Sequence, residues 1–232
     1  MKNEDKISIK DKIAITISIL TLLTLVVSLW YTHQQITILR EQYEMTVNLT
    51  FEDFVENGNN YLEEGNYWEA IRYYDKALEI KPNNGNVLRD KGYAFINLGI
   101  DDESIKVTSY SDAEKFINYY FDYYKNHSTF EGRYYFERAL DCFSDAKNSR
   151  PEDPEIRFYY SALGFYCPTG PDPIKSFNET ISIIENIPPY KKKEPIIKTL
   201  KRCAWYAMGK AYKEIGQEAK AKECFRKANE TK

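Results

Sequence analysis

From Ile13 to Tyr31 the chain reads I-A-I-T-I-S-I-L-T-L-L-T-L-V-V-S-L-W-Y, 19 residues without a formal charge. At ~1.5 Å per residue such a helix is about as long as a bilayer's hydrocarbon core is thick, so the run predicts a transmembrane anchor. Its Thr and Ser hydroxyls can bond back to the preceding turn, and Trp30 with Tyr31 suits a membrane interface. A cleaved signal peptide fits less well, because no small-x-small site follows and the run is long for a signal core. Residues 1–12 form a short charged tail. Residues 32–50 contain neither Gly nor Pro and predict a helical stalk. In the stalk Ile36, Leu39, Tyr43 and Thr46 share a stripe too short to specify a coiled coil.

Beyond Thr50 the apolar positions take up a helical period, and the same arrangement occurs twice. Counting Phe51 as position 1, Gly58 stands at 8, Tyr61 at 11, Gly65 at 15, Ala70 at 20, Tyr74 at 24, Ala77 at 27 and Pro82 at 32. Counting Arg202 as position 1, Gly209, Tyr212, Gly216, Ala221, Phe225 and Ala228 stand at 8, 11, 15, 20, 24 and 27. Small residues at 8 and 20 let two antiparallel helices cross closely, and rings at 11 and 24 fill the space beside the crossing. Gly at 15 ends the first helix, and Pro at 32 stops the second. This pattern resembles the tetratricopeptide repeat, a 34-residue helix-turn-helix unit that stacks on its neighbours. The resemblance implies an all-α, right-handed α-solenoid of helical hairpins across residues 51–232, preceded by the single transmembrane helix.

Between the two strong copies the register is looser. Leu88, Gly92, Phe95 and Gly99 supply a first helix from Gly85, but Ser104 stands where the second would have Ala. Ala139, Phe143, Ala146 and Pro151 return to positions 20, 24, 27 and 32, now counted from Tyr120. A fourth unit from Pro154 to Pro189 has the length of a hairpin but little of the signature. Five unit starts follow, at 51, 85, 120, 154 and 202, with an insertion before the last. Helices at Ser111 to Asn126 and Phe130 to Asn148 are the alternative pairing, with Ser111 as cap. Cys167 to Pro173 predicts a turn, and Pro188 to Pro195 a second break.

Hydrophobic content of 43% is ample for a packed core, and 20 Tyr suit half-buried filler positions. The net charge of −3 conceals a polarity: from Tyr190 onward there are 13 Lys or Arg against 5 Glu, leaving −11 for residues 1–189. A basic last repeat and an acidic first one suggest a self-associating assembly with complementary ends, so a homo-oligomer is the alternative to a scaffold for other proteins. The acidic balance argues against nucleic acid as partner. Four Cys at 142, 167, 203 and 224 show no metal-like spacing. The two His, His33 and His127, fall in no catalytic spacing, and no phosphate loop or nucleophile motif is present. We therefore expect no enzyme, no cofactor and no metal site. Lys2, Lys6, Lys10 and Lys12 before the span, against Arg40 after it, place the repeats on the non-cytoplasmic side; sequons at Asn48, Asn126, Asn178 and Asn229 agree.

What the resemblance implies is binding of a protein or peptide in a concave groove lined by the first helices, at positions near 2, 5, 9, 12 and 13. In this sequence the first unit offers Val55, Asn59 and Leu62. The second offers Arg89, Tyr93, Ile96 and Asn97, and the last offers Tyr206, Lys210 and Lys213. Asn59 matches the carboxylate clamp of some members of the family, but Val55 stands where that clamp has Lys.

Overall fold

A computed structural model describes residues 8–100, 105–126, 130–165, 167, 170–188 and 194–231. Among these residues every regular element is helical: α1 (Ile9–Glu64), α2 (Tyr67–Ile80), α3 (Gly85–Gly99), α4 (Ala113–Asn126), α5 (Phe130–Ser149), α6 (Pro154–Leu163), α7 (Pro173–Asn186), α8 (Glu194–Glu214) and α9 (Glu218–Glu230). The chain divides into two compact units, one ending at Thr50 and the other beginning at Phe51, and α1 runs through the division.

In the first unit α1 carries an 18-residue window of mean hydropathy 2.4 with none of it buried, which is long and apolar enough to cross a membrane. Its hydroxyls do bond back to the preceding turn. Those of Thr16, Ser18, Thr21, Thr24, Ser28 and Thr32 each donate to a carbonyl three or four residues earlier at 2.8–3.1 Å. Each of these Ser and Thr hydroxyls thus finds its acceptor within the helix, as an apolar surrounding requires.

The second unit is a stack of hairpins whose crossings repeat one packing solution. A Cβ built on Gly58 would lie 2.5 Å from the Tyr74 ring, on Gly92 2.6 Å from Phe143, and on Gly209 2.6 Å from Phe225. Each position-8 glycine is therefore covered by the position-24 ring of its partner helix. The end of α1 pairs with α2 in this way, α3 with α5, and α8 with α9. Turns after the first helices of the two end hairpins use Gly65 at φ +84 and Gly216 at φ +76, a conformation that a Cβ disfavours. The hairpins α3/α5, α6/α7 and α8/α9 then stack through α2 on α3, α5 on α6, and α7 on α8. Asn84, Asp153 and Asp172 each accept backbone N–H bonds at the start of α3, α6 and α7.

Two expectations change. Among the described residues four hairpins are present where the spacing gave five units, because α5 is the second helix of α3 and not of a separate unit from Tyr120. Helix α4 and the residues leading into it are inserted inside the second hairpin. The restart expected with Ser111 as cap comes at Ala113, after a 3-10 turn at Tyr110–Asp112. There the Asp112 carboxylate accepts from the Thr108 and Ser109 N–H groups at 3.0 and 3.2 Å. The long spacing ahead of the last copy is partly helix: α8 begins at Glu194, eight residues before its position 1. Asp101 to Ser104, His127 and the lysines at 191–193 lie outside the described residues.

Candidate partner-binding face

Each hairpin contributes its first helix to one shared face, and the inserted segment 105–126 runs along it. Lys106 donates its ammonium to the Glu63 carbonyl at the end of α1. Next, the Asn97 side chain in α3 grips Val107 by its backbone, Nδ2 donating to the Val107 carbonyl at 2.6 Å and Oδ1 accepting its N–H at 2.7 Å. Tyr159 of α6 donates its hydroxyl to the Ser109 carbonyl at 2.9 Å, and Tyr120 of α4 donates to the Leu163 carbonyl at 2.8 Å. Helix α4 finally packs on α8, where Arg202 meets Glu114 at 2.6 Å. The segment thus touches all four first helices in turn.

Apolar burial holds it there. Val107, Phe116, Ile117 and Tyr120 are fully buried and Phe121 nearly so. Phe116 lies 5.4 Å from the Tyr159 ring and Tyr120 lies 5.0 Å from Phe136. These five buried side chains, with the hydrogen bonds to Asn97, Tyr159 and Leu163, seat the segment on the face in the folded chain.

The ten residues expected to line the groove consequently divide. Tyr93, Ile96 and Asn97 are buried, with Asn97 committed to Val107. Leu62 is buried, Val55 is half-buried against the core, and Asn59 accepts from the Tyr74 hydroxyl at 2.9 Å. Tyr206 packs beside Phe225 and borders a small cavity of about 190 Å³ between α4 and the last hairpin. Lys210 sits over the Tyr206 ring at 5.6 Å, and Lys213 is exposed. Cys203 faces the same small cavity; burial pushes its thiol up to about 12, so it stays protonated and unreactive.

Arg89 has a different setting. It lines a cavity of about 660 Å³ together with Arg150, the 151–155 stretch, Ile187, Ile196 and Ile197, at the starting ends of α3, α6 and α8. The volume falls within the range of ligand sites. At its base the guanidinium meets Asp90 at 2.8 Å and Glu155 at 3.4 Å, while the Tyr93 hydroxyl donates to Glu155 at 2.6 Å. Burial raises both carboxylates above their ordinary range, and the neighbouring guanidinium pulls them only part of the way back. Arg89 itself is held more firmly protonated by the two acids, against the opposing effect of its burial. Arg150 pairs with Asp153 at 2.9 Å, and that same Asp153 caps α6.

Sequence reasoning missed Glu155, Asp90, Arg150 and the three isoleucines. Glu155 was within reach, since it is position 2 of the unit beginning at Pro154, but that unit's weak signature gave no reason to carry the lining positions onto it. Among the described residues no group of His, Cys, Asp or Glu has the arrangement of a metal site.

Residues 57–84 and 204–232 each match the tetratricopeptide repeat family model. No curated protein matches the chain. Among solved structures, a crystal structure of MamA is 21% identical, covers 75% of this chain and 93% of its own, and superposes with a TM-score of 0.36. MamA from Desulfovibrio magneticus RS-1 is 15% identical, covering 78% and 94%, with a TM-score of 0.31. The tetratricopeptide-repeat protein TTC0263 of Thermus thermophilus is 15% identical, covering 78% and 91%, with a TM-score of 0.32. None is near enough in sequence or superposition to lend its properties to this chain.

Proposed function

We propose that the chain, which carries two tetratricopeptide-repeat matches in an all-helical stack of hairpins, is a protein–protein interaction scaffold that works tethered to a membrane and holds a segment of a protein partner in the cavity around Arg89. The observation that carries this reading is the division of the shared face. One length of it is sealed by residues 105–126, and the remaining length keeps a cavity of about 660 Å³ with charged groups at its base and isoleucines on its wall. Residues 13–31 supply the tether: their apolar side chains are exposed and their hydroxyls internally bonded. Of the groove positions read from the sequence, Arg89 is the one on the lining of this cavity, where it and Tyr93 beneath it hold Glu155 in place.

A photo-crosslinking residue placed at Ile197, in full-length chain expressed in membranes, tests the reading. Crosslinks to a discrete protein that disappear on replacing Ile196 by Asp support it. Equal crosslinking from an exposed position on α9, such as Lys222, would show that the cavity is not the docking site.

A further inference from the structure

Among the described residues the charges around the cavity do not balance, and the imbalance points to what the partner segment carries. Two guanidinium groups, Arg89 and Arg150, face four carboxylates: Asp90 behind Arg89, and Glu152, Asp153 and Glu155 on the lining. Arg89 is shared between Asp90 and Glu155, and Arg150 is taken by Asp153 and by the Asn86 side chain. Glu152 is exposed and has no ion-pair partner among the described residues. The carboxylates of Asp90 and Glu155 keep only 15% of their side-chain surface exposed, so water does little to screen the surplus. The same lining carries Ile187, Ile196 and Ile197, all half-buried, as its apolar part.

We infer that the cavity accepts a basic–apolar protein segment, one Lys or Arg directed at Glu152 and Glu155 with an adjoining aliphatic side chain against Ile187, Ile196 and Ile197. This rests on the docking site proposed above and names its chemistry. The segment's cation supplies the charge that the second guanidinium cannot, and its aliphatic neighbour covers surface that the solenoid leaves open. An acidic segment would bring a fifth carboxylate into a site already in surplus. The raised range of Glu155 adds a direction: a bound cation favours the ionised carboxylate, so binding strengthens as pH rises through that range. The groups facing Glu155 are Arg89, Asp90 and Tyr93 from α3, Asp153 from its own cap and Tyr159 from its own helix.

The test uses the full chain in detergent micelles and two fluorescein-labelled probes, Gly-Ile-Lys-Ile-Arg-Gly and its twin Gly-Ile-Glu-Ile-Glu-Gly, followed by polarisation at 0.15 M salt. The basic probe is expected to bind at least about tenfold tighter than the acidic one. Glu152→Lys, at an exposed position in the turn before α6, should erase most of that preference, and Glu155→Gln should reduce it, each in a protein whose helicity is checked to be unchanged. Binding of both probes with equal strength, abolished by Ile196→Asp, would overturn the charge assignment and leave the docking site standing. Binding that ignores Ile196→Asp, or no binding of either probe, would overturn the site as well.

Discussion

The end hairpins and the second hairpin solve the same packing problem with very different connections. Between α8 and α9 the chain turns in three residues, and between α1 and α2 in two; between α3 and α5 it travels through thirty, including a whole helix. Yet the crossings agree, with the position-8 glycine pressed under the position-24 ring in all three. The comparison teaches that the hairpin is specified by its glycine and ring and not by its turn. A long insertion costs little when its ends are already close, since loop-closure entropy grows only slowly with length. Freed from the turn, the inserted residues were available to cover the shared face.

The largest effect expected from breaking this correspondence is steric. Gly92→Val places a branched side chain where even a Cβ lies 2.6 Å from Phe143. It should destabilise the repeat unit by about 3 kcal/mol, read by urea unfolding; Gly209→Val should cost a similar amount at the last hairpin. Equal tolerance of valine at both sites would remove the crossing as the determinant of the fold.

Asn97→Ala comes next and separates the second hairpin from the end ones. It strands the buried N–H and carbonyl of Val107, a loss of roughly 2 kcal/mol. Amide exchange should accelerate over 105–126 more than over α8 and α9. A smaller change, about 1 kcal/mol, is expected for Gly65→Ala and Gly216→Ala, because both glycines have positive φ. Here the end hairpins alone are affected, as the second has no such turn among the described residues.

The smallest effect concerns pH. The folded values of Asp90 and Glu155 lie above their unfolded ones, so the native state binds more protons in the window between the two. Stability from these groups therefore rises as pH falls through that window and is lowest above it. Glu155→Gln should flatten this part of the profile, and an unchanged slope of stability against pH would show that Glu155 does not titrate there.

Much of this fold was legible. Gly58, Ala70, Tyr74 and their counterparts at the C-terminus declare hairpins because each does a local job within one 34-residue window. The partnership of α3 with α5 was not legible, although Gly92 and Phe143 were both assigned the right positions. A period counts residues, and an insertion shifts the count while leaving the packing unchanged. The alternative helices at 111–126 and 130–148 came nearer in their bounds, because capping and apolar spacing are local signals, but their pairing with each other fails: α5 packs on α3 and α4 on α8. For the candidate face, the position of Arg89 on a first helix could be read from the repeat. The burial of Tyr93, Ile96 and Asn97 under residues 105–126 could not, since a side-chain amide gripping a distant backbone leaves no sequence pattern.

Native-state hydrogen exchange of the Val107, Ile117 and Phe121 amides against those of Phe95 and Phe143 tests the central claim most directly. If the inserted segment is a permanent wall of the shared face, all five exchange with the same opening free energy and the same dependence on urea. Exchange of Val107, Ile117 and Phe121 through a separate opening, several kcal/mol cheaper and insensitive to urea, would show the segment to be a cover that lifts and would reopen the whole groove to partners.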